Sequence, residues 1–133
     1  MRIDHLGIAV ADLEQALESY RALGLEPTGS EEVPEQRVTV TFLPIGESKL
    51  ELLCPTGPEG PIAKFLADGK KGLHHVALAV DDIEAALEKA RQAGLRLIDE
   101  RPRRGAGGAL IAFVHPASTA GVLIELCQRK GSH

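Results

Sequence analysis

The segment His5-Leu-Gly-Ile-Ala-Val-Ala-Asp-Leu-Glu14 returns seventy residues later as His75-Val-Ala-Leu-Ala-Val-Asp-Asp-Ile-Glu84. The register runs without a gap to Gly24-Leu25 against Gly94-Leu95. Within it His5, Ala9, Val10, Asp12, Glu14, Ala16, Leu17, Glu18, Arg21, Gly24 and Leu25 each meet their own residue type, 11 identities in 21 positions. Similarity at one fixed offset marks a duplicated supersecondary unit, and two copies are too few for a solenoid. Each copy is therefore half of a domain.

Both copies open with alternating residues, a strand signal, and then switch to helical spacing at Leu13, Ala16, Leu17, Tyr20 and at Ile83, Ala86, Leu87, Ala90. Asp12 and Asp82 stand where N-caps belong, and Gly24 and Gly94 where helices stop. Three strand-like runs follow each helix: 26–33, 37–45 and 49–54, then 97–102, 109–115 and 122–126. Each copy reads βαβββ, an α+β class. The Pro- and Gly-rich stretch 55–72, with a short helix expected over 61–67, links module 1 (1–54) to module 2 (73–128) in one domain spanning 1–130. Gly131-Ser132-His133 reads as a tail foreign to that domain.

The balance of 44% apolar and 26% charged residues is that of a globular protein, and no apolar run approaches the ~18 residues a membrane crossing needs. A net charge of -4 with no large basic face argues against a nucleic-acid partner. Two cysteines, Cys54 and Cys127, fit a reducing cytoplasm, with both read as small buried hydrophobes.

Strand parity sharpens the picture, because successive side chains point to opposite faces. Leu6, Ile8, Val10 and Val76, Leu78, Val80 belong under the helices. His5, Gly7, Ala9 and His75, Ala77, Ala79 form the other face, one imidazole followed by small residues, as a cavity wall would need. The last strand of each module carries one carboxylate in an apolar run: Glu51 in Leu50-Glu-Leu-Leu and Glu125 in Leu123-Ile-Glu-Leu. A buried carboxylate is costly unless paired or coordinated. Two imidazoles and two carboxylates suit a divalent ion with open positions, such as Co²⁺, Zn²⁺, Mn²⁺, Ni²⁺ or Fe²⁺.

This pattern resembles the vicinal oxygen chelate superfamily of glyoxalases, bleomycin resistance proteins and dioxygenases. Asp4-His-Leu-Gly-Ile-Ala-Val, Val33-Pro-Glu-Gln, Lys49-Leu-Glu-Leu-Leu, Gly60-Pro-Ile-Ala-Lys-Phe-Leu, Gly72-Leu-His-His-Val-Ala, Phe113-Val-His-Pro and Gly121-Val-Leu-Ile-Glu-Leu are similar to the methylmalonyl-CoA epimerase family over nearly the whole chain. The resemblance implies paired βαβββ modules forming a cupped mixed sheet with helices outside, and metal ligation by His5, Glu51, His75 and Glu125, where the family often has Gln at the second place. It implies epimerisation of an acyl-CoA by removal and return of the C2 proton through a metal-stabilised enolate. Co²⁺ is the foremost metal, with Zn²⁺, Mn²⁺ or Ni²⁺ as alternatives, Glu125 and Glu51 are the acid/base candidates, and a homodimer is implied. The rivals are a glyoxalase I-type lyase acting on a glutathione hemithioacetal, a ring-cleaving dioxygenase, and a small-molecule-binding protein without enzymatic activity.

Three positions depart from the family pattern or fall outside it. Val40 stands where some members carry Glu, Gly107 where epimerases commonly have His, and Arg37 where Gly is usual; Arg37 is read as facing water. His74 matches Asp4 in the repeat and is assigned a surface or supporting place, and His115 ends a strand without chemistry. Arg101, Arg103, Arg104, Lys70 and Lys71 are cations available for coenzyme A phosphates, each read first as part of a solvated loop.

Overall fold

A computed structural model describes residues 1–129; the expected tail, 131–133, lies outside them. The chain falls into two compact units, His5–His74 and Met1–Asp4 together with the chain from His75 onward. In the first, β1 (Arg2–Ala9), whose residues up to Asp4 count with the second, leads to α1 (Leu13–Ala22), β2 (Gly29–Val33), β3 (Val38–Ile45), β4 (Ser48–Pro55) and α2 (Pro61–Ala67). In the second, β5 (Gly72–Ala79) leads to α3 (Ile83–Gln92), β6 (Arg103–Arg104), β7 (Leu110–Val114) and β8 (Ile124–Gln128). The βαβββ order and the helix over 61–67 are as the sequence predicts.

Within the first unit the strands lie in the order β2-β3-β4-β1, antiparallel except for the β4-β1 pair. The second repeats this as β6-β7-β8-β5, with the parallel pair again between the first and last strands of the module. Asp12 and Asp82 cap the two long helices, accepting hydrogen bonds from Gln15 N and Ala85 N at 3.1 Å in each case. Gly24 and Gly94 follow the helix ends at φ 98° and 81°, a left-handed conformation that glycine adopts without a Cβ clash.

Each helix covers one face of its sheet. Leu17 of α1 joins Leu43 and Leu52, with Ile8, Val10, Leu13, Ala16, Tyr20, Leu25 and Leu50 around them. Ile83 and Leu87 of α3 join Val80, Ala112, Val114 and Leu126. Ile8, Val10 and Val80 thus lie under the helices, as parity requires, while Leu6, Val76 and Leu78 are half-buried. Fully burying a side chain of this size contributes about 1.5–3 kcal/mol, so these layers fix which face of each strand is left for chemistry.

The run 97–102 does not form the strand expected of it. Leu97 makes one isolated bridge to Val114, and regular pairing appears only at Arg103–Arg104. Pro102 has no N–H for a ladder. Ile98 N and Asp99 N both donate to Phe113 O, at 2.9 and 3.2 Å, while Phe113 N donates to the Asp99 carboxylate at 2.8 Å. A side chain has replaced the backbone carbonyl that a continuous strand would offer. The neighbouring strand boundaries also shift, β2 starting at Gly29 rather than 26 and β8 extending to Gln128.

Asp99→Ala would leave the N–H of buried Phe113 without its acceptor, at a cost of about 1–3 kcal/mol. Urea unfolding should show that loss as a lower midpoint at unchanged slope; a change below about 0.5 kcal/mol would contradict the assignment.

Candidate metal and acid/base site

In the parallel pair β1-β4, Gly7 lies beside Glu51, and His5 precedes Gly7 by two residues on the same face. Gly7 has no side chain to fill the space, and the Glu51 carboxylate reaches back to the imidazole: His5 Nδ1 and Glu51 Oε2 are 3.4 Å apart. The second unit repeats the device. Ala77 lies beside Glu125, His75 precedes it by two, and His75 Nε2 and Glu125 Oε1 are 3.3 Å apart. The halves differ in which ring nitrogen faces the carboxylate.

All four side chains are buried: His5 and Glu51 at 3% exposure, His75 at 5% and Glu125 at 3%. The solvent-face reading that a lone strand glutamate invites does not apply to either. In the second unit the surrounding face is apolar, with Ala77, Ala109, Ile111, Phe113 and Cys127 buried together and Leu123 against them. The Phe113 ring meets His75 edge to face at 5.5 Å, fixing the imidazole plane. Carboxylates held this way are close to imidazole and shielded from water, the environment in which charge interactions are strongest.

The other residues singled out from the sequence fall outside these pairs. Val40 is buried opposite Leu53 in the antiparallel β3-β4 pair, on the face that carries Glu51. The place where some relatives carry Glu is here an apolar wall. Arg37 sits at φ 53° after a short 3-10 turn and pairs with Glu59 at 2.7 Å, both side chains exposed. His74 is half-buried, with Phe65 edge-on at 4.9 Å, and burial pushes its imidazole below the ordinary value. The His115 side chain caps a 3-10 turn, accepting from Ala117 N at 3.0 Å. Lys70 lies over the Phe65 ring at 5.9 Å, and Arg101, Arg104 and Lys71 are exposed. The Arg103 side chain is 42% exposed, and its guanidinium stands 5.5 Å over the Phe113 ring. Among the described residues there is no disulfide.

Two supporting residues carry no signal of their own in the sequence. Arg129 grips buried Asp4, the neighbour of His5 in the chain, through Nη2 at 2.7 Å and Nε at 3.2 Å, and donates from Nη1 to Ala106 O at 3.0 Å. A Cβ on Gly107 would come within 2.7 Å of Arg129 Nη1. The guanidinium thus takes the space that a side chain at 107 would need. Asp4 and Arg129 are 125 residues apart, so no local pattern links them.

Comparison with known proteins identifies the family. The family model of the Glyoxalase/Bleomycin resistance protein/Dioxygenase superfamily matches residues 4–113, and the chain belongs to that superfamily. Within it, the chain is 41% identical over 130 residues to the ethylmalonyl-CoA/methylmalonyl-CoA epimerase of Cereibacter sphaeroides, covering 96% of this chain and 97% of that one. It is 40% identical over 129 residues to the mitochondrial methylmalonyl-CoA epimerase of Bos taurus, covering 96% of this chain and 74% of that one. A variant of the Streptomyces coelicolor methylmalonyl-CoA epimerase, solved in complex with 2-nitronate-propionyl-CoA, superposes with a TM-score of 0.94 at 38% identity, covering 100% of this chain and 97% of that one.

On the other face of β4, that of Leu50 and Leu52, burial and, secondarily, the Asp12 carboxylate raise the Cys54 thiol above its ordinary value. The thiolate is the reactive form, so Cys54 should alkylate with iodoacetamide more slowly than free cysteine at pH 8 and with a higher pH midpoint. Labelling of a Cys127→Ser variant reads this directly, and a rate equal to that of free cysteine would contradict it.

Proposed function

We propose that this chain is a methylmalonyl-CoA epimerase whose metal centre is formed by His5, Glu51, His75 and Glu125. The observation that carries the reading is the repeated buried imidazole-carboxylate pair, each set by a small residue on the neighbouring parallel strand. Each half offers one nitrogen and one carboxylate, and two halves make the four-ligand N₂O₂ set that a divalent ion takes with positions left for substrate. Co²⁺ is the ion proposed first, with Zn²⁺, Mn²⁺ or Ni²⁺ also suited to these donors. When bound, the ion supplies Lewis acidity beside the thioester.

The residues of the chain do the rest. Epimerisation at C2 of methylmalonyl-CoA requires a proton to leave one face and return to the other, and carboxylates on two sides of the carbon are the simplest means. Glu125 and Glu51 hold and move that proton. Val40 is apolar, so this reading gives the role to the buried carboxylate of each half. Phe113, Ile111, Leu123 and Ala77 exclude water from the carbon once its proton has gone.

In this reading residues 1–130 make one domain of two modules, and family likeness supports a homodimer. Cysteines without a disulfide are in keeping with the cytoplasm. No helix of the described residues is long and apolar enough to cross a membrane.

The test is deuterium uptake at C2 of methylmalonyl-CoA in D₂O with Co²⁺ supplied. Exchange should depend on the protein and fall at least 100-fold in Glu125→Gln, since removing one proton-transfer group alone costs roughly 10²–10⁴-fold, and it should also fall in His75→Ala, which removes a ligand of the proposed metal centre. Absence of exchange, together with turnover of the methylglyoxal-glutathione hemithioacetal, would instead make the chain a glyoxalase.

A further inference from the structure

Arg103 is placed and oriented as a surface loop residue would not be. In the β6-β7 pair it lies directly opposite Ile111, so its side chain shares the face of Ile111, Phe113 and Cys127, while Arg104 lies opposite Leu110 on the other side. Its guanidinium stands over the Phe113 ring, and the edge contact of that ring with His75 makes Arg103 two aromatic contacts from the His75–Glu125 pair. Asp99 holds it from behind. The Asp99 side chain is only 16% exposed; one carboxylate oxygen accepts from Arg103 Nε at 3.1 Å and the other from Phe113 N at 2.8 Å.

This contact uses Nε and leaves the two Nη groups, the forked edge that recognises carboxylates and phosphates through paired hydrogen bonds. The Arg103 side chain is 42% exposed, so a ligand can reach it. A partly buried acid that orients an arginine without enclosing it is the arrangement of a receptor for an anion, with the rotamer cost already met before binding.

We infer that Arg103 is the residue by which this face grips an anionic oxygen group of its acyl-CoA substrate, and so is a determinant of specificity for the reaction proposed above, on which the inference rests. That group is either the carboxylate of the acyl portion or a phosphate of coenzyme A; both are oxyanions that the guanidinium fork fits.

Steady-state epimerisation of methylmalonyl-CoA and of the phosphate-free thioester methylmalonyl-pantetheine, by wild type, Arg103→Ala, Arg103→Lys and Arg104→Ala, tests this. With the CoA thioester, Arg103→Ala should raise KM about 10- to 100-fold, the loss expected of a charge-assisted contact, with kcat within about threefold of wild type. Arg103→Lys should recover part of the loss, and Arg104→Ala should match wild type. If the loss vanishes with the pantetheine thioester, the anion is a phosphate; if it persists, the anion is the acyl carboxylate. A KM for Arg103→Ala within twofold of wild type overturns the inference while leaving the epimerase reading intact. Should Arg103→Ala fold poorly, a wild-type KM in Arg103→Lys, which keeps the charge but not the fork, does the same. No turnover by wild type overturns both.

Discussion

The contact between an imidazole and a carboxylate on neighbouring parallel strands is the constraint around which both halves are built. Parallel pairing puts the residue beside the glutamate two positions after the histidine, so that residue must be small, and it is Gly7 in one half and Ala77 in the other. A larger side chain there would separate the pair and leave a buried carboxylate without its neighbour, a state that costs several kcal/mol. The helix-side layers, Leu17 with Leu43 and Leu52 and Leu87 with Ile83 and Leu126, hold the strands in the register this requires. Packing on one face sets the chemistry on the other.

Much of this was legible because duplication wrote it twice. The helix bounds, the Asp12 and Asp82 caps and the Gly24 and Gly94 stops follow from spacing alone, and the four ligand candidates follow from parity together with recurrence. A single histidine or a single strand glutamate would have carried neither. The irregular segment before β6 was less legible, because Asp99 acts through its side chain where the pattern of Leu97, Ile98 and Pro102 suggested only backbone pairing. With Glu100 and Arg101 directly after it, Asp99 reads as one more charge of a solvated loop, so nothing marked it out as Glu51 and Glu125 were marked by their apolar neighbours.

The long-range support left no sequence trace. Arg129 reaches Asp4 across almost the whole chain, and glycine at 107 suits both the left-handed backbone there, φ 70°, and the guanidinium that stands beside it. Its bonds to Asp4 and to Ala106 O place one cation between the start of β1 and the loop before β7. At position 40 the structure shows an ordinary buried valine of the β3-β4 pair. In the proposed function, proton transfer falls to the glutamates of the two pairs and the grip on the anionic substrate to Arg103.

The central claim is that the two repeated pairs serve one ion. X-ray absorption at the cobalt edge of protein titrated with Co²⁺ tests it most directly. The account predicts saturation at one ion per chain with two imidazole nitrogens and carboxylate oxygens in the first shell, and one imidazole fewer in His5→Ala and in His75→Ala. Two ions per chain with one imidazole each, or a shell unchanged by either substitution, would contradict it.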